Sequence, residues 1–403
     1  MRTVPLGEVE WVDAERVGDG ARARLRAAGF GLAALGLAAC AVAWVADARR
    51  FAFSYLVGFE FVLTMGLGGL FFVIIQHLVK AGWSVGPRRQ MEWLAGVLPL
   101  LLVLFAPIAA MSGHLYSAWM GPEAATDSLV AQKAAYLNAP AFFLRAAVYF
   151  AIWTGLSWFF RSRSLQQDVS GDPALTLTLQ RASAPATVLF GLSLTFSGVD
   201  WLMSLNPKWY STMFGAYVFA GSTVSGIAVL ALMTVALHRS GLIRRVSNEQ
   251  HRYDVGKLLF GFTVFWAYIG FSQYFLIWYA NIPEETLFFR ERAVGSWRDV
   301  SMALVLLHFA LPFVLLISRT MKKLWWGLSL GAVVVLVGHY IDLYWLVMPT
   351  LDREGARFTW IDAAGLMGPV GVLCAWLAWR ATKDPLYPLR DPRLAEAAAL
   401  DQP

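Results

Sequence analysis

Charge is what this chain has least of. Only 15% of its 403 residues are Asp, Glu, Lys or Arg, against roughly 25% in an ordinary soluble domain. The length alone suggests two or three domains, but a water-facing fold of that size has too little charge here to cover it. Cysteine is scarcer still. Cys40 and Cys374 each lie inside an apolar run. With no CxxC or Cys/His spacing, they exclude a disulfide framework, and also an iron–sulfur cluster or structural zinc held by this chain alone. Residues 1–26 lack an early apolar core and mix Glu8, Glu10, Asp13 and Glu15 with arginines. That reads as a short hydrophilic tail and not as a cleavable signal.

Apolar residues are abundant, at 58%. A helix needs about 20 of them in succession to cross roughly 30 Å of hydrocarbon. Ten such stretches occur, over 28–46, 52–78, 92–112, 140–160, 184–205, 213–238, 255–280, 300–318, 324–348 and 361–380. The chain therefore reads as all-α, a polytopic membrane protein with a single ten-helix domain over 28–380 between tails at 1–27 and 381–403. The net charge of +6 is spread in short clusters between apolar runs, which argues against nucleic acid as a partner. With the N-terminus in the cytoplasm, most of the 33 lysines and arginines fall on the cytoplasmic side, Arg88–Arg89, Arg244–Arg245 and Lys322–Lys323 among them. Both tails are expected to be cytoplasmic. Trp83, Trp93, Trp325, Trp326 and Trp379 fall at the inner boundary, and Trp209, Trp278, Trp297 and Trp360 at the outer one, as aromatic belts do.

A weak internal repeat is visible. The second span carries Gly66, Gly68 and Gly69 and leaves through Lys80 and Gly82. The sixth carries Gly221, Ser222, Ser225 and Gly226 and leaves through Arg239 and Gly241. An offset of four helices implies two parallel four-helix bundles.

Ionisable residues inside hydrocarbon are costly and mark function by default. The spans hold Glu60, Arg145, Asp200, His308, His339 and Asp342, with His114 and Asp362 at the outer edge. At 1.5 Å per residue they lie about 8–13 Å from the outer ends of their helices, in one half of the membrane. His339 and Asp342 are three residues apart and share a helix face. A histidine beside a carboxylate suits proton acceptance or relay, and a quinol needs such acceptors. Tyr268, Gln273 and Tyr274 on the seventh span can add hydrogen bonds to a quinone. Other readings stay open at this point: Arg145 as an interhelical lock to Asp200 or Glu60, His308 as a satisfied core histidine, and Asp362 as a helix N-cap. The whole chain can also be a non-catalytic scaffold, or a secondary transporter broken at Pro107 and Pro312. A transmembrane haem pair needs four histidines in two layers, and only two are buried here, in one layer.

Four strings carry a resemblance. They are Gln76-His77-Leu78-Val79-Lys80-Ala81-Gly82-Trp83-Ser84, and Phe196-Ser197-Gly198-Val199-Asp200-Trp201-Leu202-Met203-Ser204-Leu205. The third runs from Phe265-Trp266-Ala267-Tyr268 through Gln273-Tyr274-Phe275-Leu276-Ile277-Trp278-Tyr279-Ala280-Asn281-Ile282-Pro283-Glu284-Glu285-Thr286. The last is His339-Tyr340-Ile341-Asp342-Leu343-Tyr344-Trp345. Together they resemble the second NrfD-like (polysulfide-reductase-type) integral membrane subunit of bacterial alternative complex III, a quinol:electron-acceptor oxidoreductase. The resemblance implies two four-helix bundles with a flanking helix at each end, set in the bacterial inner membrane. It implies no haem or iron–sulfur cluster on this chain, and quinol as the substrate of the complex. It also implies partners: a second NrfD-like subunit, and iron–sulfur and c-haem subunits on the outer side.

Overall fold

In hydrocarbon every backbone amide and carbonyl must be satisfied within the protein, so apolar segments of this length become helices. A computed structural model describes residues 17–244 and 246–400. Glu8, Glu10, Asp13, Glu15 and Arg245 lie outside the described residues. Ten helices are long and apolar enough to span a bilayer. They are α1 (Asp19–Ala46), α2 (Ala48–Leu78), α3 (Val85–Ala110), α4 (Ala139–Ser170), α5 (Pro173–Leu205), α6 (Phe214–Arg239), α7 (Glu249–Ala280), α8 (Trp297–Ile317), α9 (Trp325–Thr350) and α10 (Trp360–Lys383). No strand occurs among the described residues. The protein is a polytopic helical membrane protein.

Several helices run well past their apolar stretch because their stop and start signals lie in polar sequence. Asn138, Asp172 and Asn248 cap α4, α5 and α7 by accepting from Ala141 N, Ala174 N, and Gln250 N and His251 N, as short polar side chains do at helix starts. Asp362 is not the cap of α10. Thr359 holds that position, and Asp362 closes a capping box three residues later. Its carboxylate also accepts from Arg50 Nη2 at 2.9 Å and Ser54 Oγ at 2.6 Å, which ties α10 to α2. α3 is broken at Gly96–Val97 and at Phe105, with Pro99 and Pro107 opening the segments that follow. α8 contains a π-helical turn, Val305–Ala310.

The bundles form as the repeat suggests. α2 packs on α3 and α5, and α5 on α4. α6 packs on α7 and α9, and α8 on both α7 and α9. The halves meet where α2 lies against α6, flanked by α5 on α6 and α9 on α2. The α2–α6 contact needs small residues: a Cβ on Gly68 would stand 2.0 Å from Ser222 O, and one on Gly226 would stand 2.8 Å from the Gly68 backbone. Such close approach gains dispersion contacts that lipid cannot replace. α2, apolar on every side, has 89% of its most apolar window buried, while α1 has 28%. α1 and α10 flank the sequence but not opposite ends of the molecule. They lie side by side along their length, with α10 also against α2.

Ten crossings bring the start of α1 and the end of α10 to one side, here called the near end. The loops 111–138 and 281–296 lie at the far end. The C-terminal segment folds onto the near end, where Leu386, Tyr387, Leu394 and Ala397 join Val17, Val85, Trp93, Ile243 and Val246 in a separate apolar cluster. Trp93, Trp209 and Trp297 are buried in the protein and do not stand in the lipid boundary.

Candidate functional site: a buried polar layer

The buried ionisable groups in the far half of the membrane sort into two clusters, one in each bundle. In the first, Asp200 of α5 is wholly buried. It accepts from Arg145 Nε at 2.8 Å, Arg145 Nη2 at 2.9 Å and Tyr149 Oη at 2.7 Å. Arg145 also donates Nη1 to Tyr136 O at 3.0 Å, and its guanidinium lies 3.9 Å from the Tyr136 ring centroid. A bidentate pair with this many partners is a satisfied interhelical lock. Of the alternatives for Arg145, pairing with Asp200 is the one the structure shows.

The second cluster is less satisfied. Asp342 of α9 accepts from Tyr217 Oη on α6 and from Trp266 Nε1 on α7 at 3.1 Å. His339, one turn earlier, points elsewhere: its Nε2 meets Thr64 Oγ1 of α2 at 2.8 Å. The Thr64 hydroxyl also lies 2.7 Å from Glu60 O and 3.1 Å from Phe61 O, and His339 gives or takes in the Thr64 bond according to its tautomer. His339 Nδ1 is buried and has no partner among the described residues. Gly221 of α6 faces that edge, where a Cβ would stand 3.1 Å from His339 Cε1.

His308 sits in the π-helical turn of α8, wholly buried, with both ring nitrogens unpartnered among the described residues. Its ring centroid lies 3.9 Å from that of Trp266 and 5.8 Å from that of His339. Gly338 lets the α8 backbone approach, since a Cβ there would stand 2.6 Å from His308 Cα. Single π turns recur at functional positions. His339 and Asp342 thus belong to one cluster, joined through Trp266 and His308. No hydrogen bond links them to each other among the described residues.

Glu60 is buried on α2, one turn before Thr64, and its Oε1 has no partner among the described residues. Tyr116, on the far-end loop, donates to Trp201 O at 3.1 Å. Burial, helped by the Glu60 and Asp200 carboxylates, pushes its phenol well above the usual range. His114 is exposed. Of the three residues expected to contact a quinone, Gln273 is buried and accepts from Ser211 Oγ at 3.2 Å. Tyr268 and Tyr274 are exposed on the outer surface. On α7, Thr263, Trp266, Ile269, Gln273 and Ile277 share the buried stripe, and at 3.6 residues per turn positions 268 and 274 fall off it.

Tyr217, Trp266, Thr64 and Tyr149 escaped the sequence reading because tyrosine, tryptophan and threonine carry no formal charge in a span. A larger omission lies at the near end. Arg88 and Arg89, read as loop cations setting topology, are inside α3 and almost completely buried. Arg88 Nη2 donates to Asp391 at 2.6 Å, Arg89 Nη2 to Asp168 at 2.5 Å, and Arg89 Nη1 stands 3.0 Å from Glu92. Leu389 N also donates to Asp168, at 2.8 Å. His77 lies beside them, wholly buried, with both nitrogens unpartnered among the described residues.

A cleft of about 310 Å³ opens at the far end, between the 132–137 turn and the 207–210 link after α5. It is lined by Lys133, Tyr136, Val199, Met203, Trp209 and Tyr210, among others. No protein-family model matches the chain, and no curated protein is significantly similar to it.

Proposed function

We propose that the chain is a membrane subunit of a quinol:electron-acceptor oxidoreductase complex in a bacterial inner membrane. On this reading the His339–His308–Asp342 cluster accepts or relays protons. One observation carries the reading: His308, His339 and Glu60 keep unused hydrogen-bonding atoms in a buried, lipid-embedded interior. Each orphaned polar group costs about 1–3 kcal/mol, so a purely structural core gains by replacing them. Oxidation of one quinol releases two electrons and two protons. Redox partner subunits take the electrons, the iron–sulfur and c-haem carriers that the resemblance implies. The protons need bases, and His339, whose Nδ1 has no partner among the described residues, stands one helical turn from Asp342. The resemblance strings end on these same residues.

Asp342→Asn in the assembled complex tests this. It keeps the volume and an acceptor for Tyr217 but removes the titrating group. Quinol-dependent reduction of the acceptor is expected to fall by up to about 100-fold. Unchanged turnover and unchanged proton release, with all subunits present, reject the role. The saturated Asp200–Arg145–Tyr149 cluster favours a second reading for itself alone: these three groups are scaffold and hold α4 and α5 together.

A further inference from the structure

The far-end cleft lies apart from the proton-handling cluster. Its upper wall is polar and aromatic, and its floor is apolar. Lys133 is only half buried, and its ammonium donates to Pro207 O at 2.6 Å and lies 5.6 Å from the Tyr210 ring centroid. No carboxylate pairs with it among the described residues. The neighbouring cation Lys208 is neutralised by Asp127 at 2.6 Å, and Arg145 by Asp200. Among the described residues Lys133 is thus a cation without an ion-pair partner, with two N–H donors to spare. The walls are fixed before any ligand arrives. Trp209 donates Nε1 to Glu285 O at 3.1 Å and stacks on Phe288 at 4.0 Å, while Tyr136 is held over the Arg145 guanidinium.

Below the cleft an apolar track continues along α5. Val199 lines the cleft, and Phe196, Leu192, Leu189 and Val188 follow it on the exposed surface. Phe196 and Leu192 follow at steps of three and four, and Leu189 and Val188 lie three and four residues beyond Leu192, which puts them on one stripe. From Val199 to Val188 the helix rises about 16 Å, close to half the roughly 30 Å of hydrocarbon, which is the depth of one leaflet. We propose that this cleft and track bind one anionic phospholipid, its phosphodiester on Lys133 between Tyr210 and Tyr136, and an acyl chain along the α5 stripe. A lone cation at the membrane boundary attracts an anionic headgroup, whereas a zwitterionic choline headgroup brings its own cation to the same place.

The test uses the full chain purified in a non-ionic detergent and stripped of lipid. Phosphatidylglycerol or phosphatidylcholine is added, and binding is read by native mass spectrometry and by the shift in melting temperature. Wild type and Lys133→Arg are expected to retain one phosphatidylglycerol and to melt higher in its presence. Lys133→Gln is expected to bind it about tenfold more weakly or worse. Lys133 also holds the Pro207 carbonyl, so Val199→Phe serves as a second variant that blocks the floor and leaves the lysine in place. It too is expected to lose the bound lipid. Equal retention of phosphatidylglycerol by wild type and both blocking variants overturns the proposal, as does equal stabilisation by phosphatidylcholine.

Discussion

Replacing Arg145 by Leu removes two of these three hydrogen bonds to Asp200 and leaves the one from Tyr149. A wholly buried carboxylate then has no counter-charge. Breaking a buried ion pair on one side costs about 3–5 kcal/mol, because the surviving charge stays desolvated. Replacing both partners by apolar residues of similar size is near neutral. Arg145→Leu should therefore destabilise the chain by about 3 kcal/mol or more, and Arg145→Leu with Asp200→Leu by markedly less than the sum of the single changes. The coupling is measurable as a double-mutant cycle in reversible unfolding by sodium dodecyl sulfate, followed by tryptophan fluorescence. Trp201 next to Asp200, and Trp153 against it at 5.8 Å between ring centroids, place reporters at the site. Additive effects, with the double variant as unstable as the two losses summed, refute the view that the pair is a lock.

Two further outcomes follow from the packing. Gly68→Ala places a methyl group 2.0 Å from a backbone oxygen of α6, so α2 and α6 must separate; folded monomer recovered in mild detergent should fall sharply, whereas Gly113→Ala, with open space around it, should leave the yield unchanged. Truncation after Lys383 removes the Asp391 partner of Arg88 and the Leu389 amide on Asp168 and should lower the melting temperature. Burial raises the Asp391 pKa, but the Arg88 guanidinium outweighs it and holds the carboxyl below its ordinary value. Its stabilising contribution is therefore present above the usual carboxylate range and is lost as pH falls through the depressed value. The melting difference between full-length and truncated chains should shrink on acidification in that window, and a difference that grows there would contradict the assignment.

How much of this was legible beforehand depends on what each residue type costs in lipid. Ten helices were readable because hydrocarbon leaves an apolar 20-residue run no other fold. The buried acids and histidines stood out for the same reason, and Asp200 with Arg145 was among the pairings considered. Their partners did not stand out: Tyr217 and Trp266 look like any aromatic residue in a span, and which helix each side chain faces is a property of tertiary packing. Tyr268 and Tyr274 share a span with Gln273 but not its helical phase, and phase puts them on the exposed side of α7. Arg88 and Arg89 misled for a different reason. A basic pair beside an apolar run ordinarily sits in water, but here Glu92, Asp168 and Asp391 close over it. Two of those three come from segments about 80 and 300 residues away, and no local pattern carries that information.

The pairing of α1 with α10 has a consequence for biogenesis. α1 has as its main mate α10, which is made after all the other described spans, and until then much of its flank faces lipid or the neighbouring α2. Gly36 waits for the Met367–Gly368 backbone, where a methyl group would not fit. Domains ordinarily consolidate from the N-terminus as they are synthesised; this one cannot close its α1 flank until α10 has been made. Chains that stop before α10 should leave this flank of α1 uncovered.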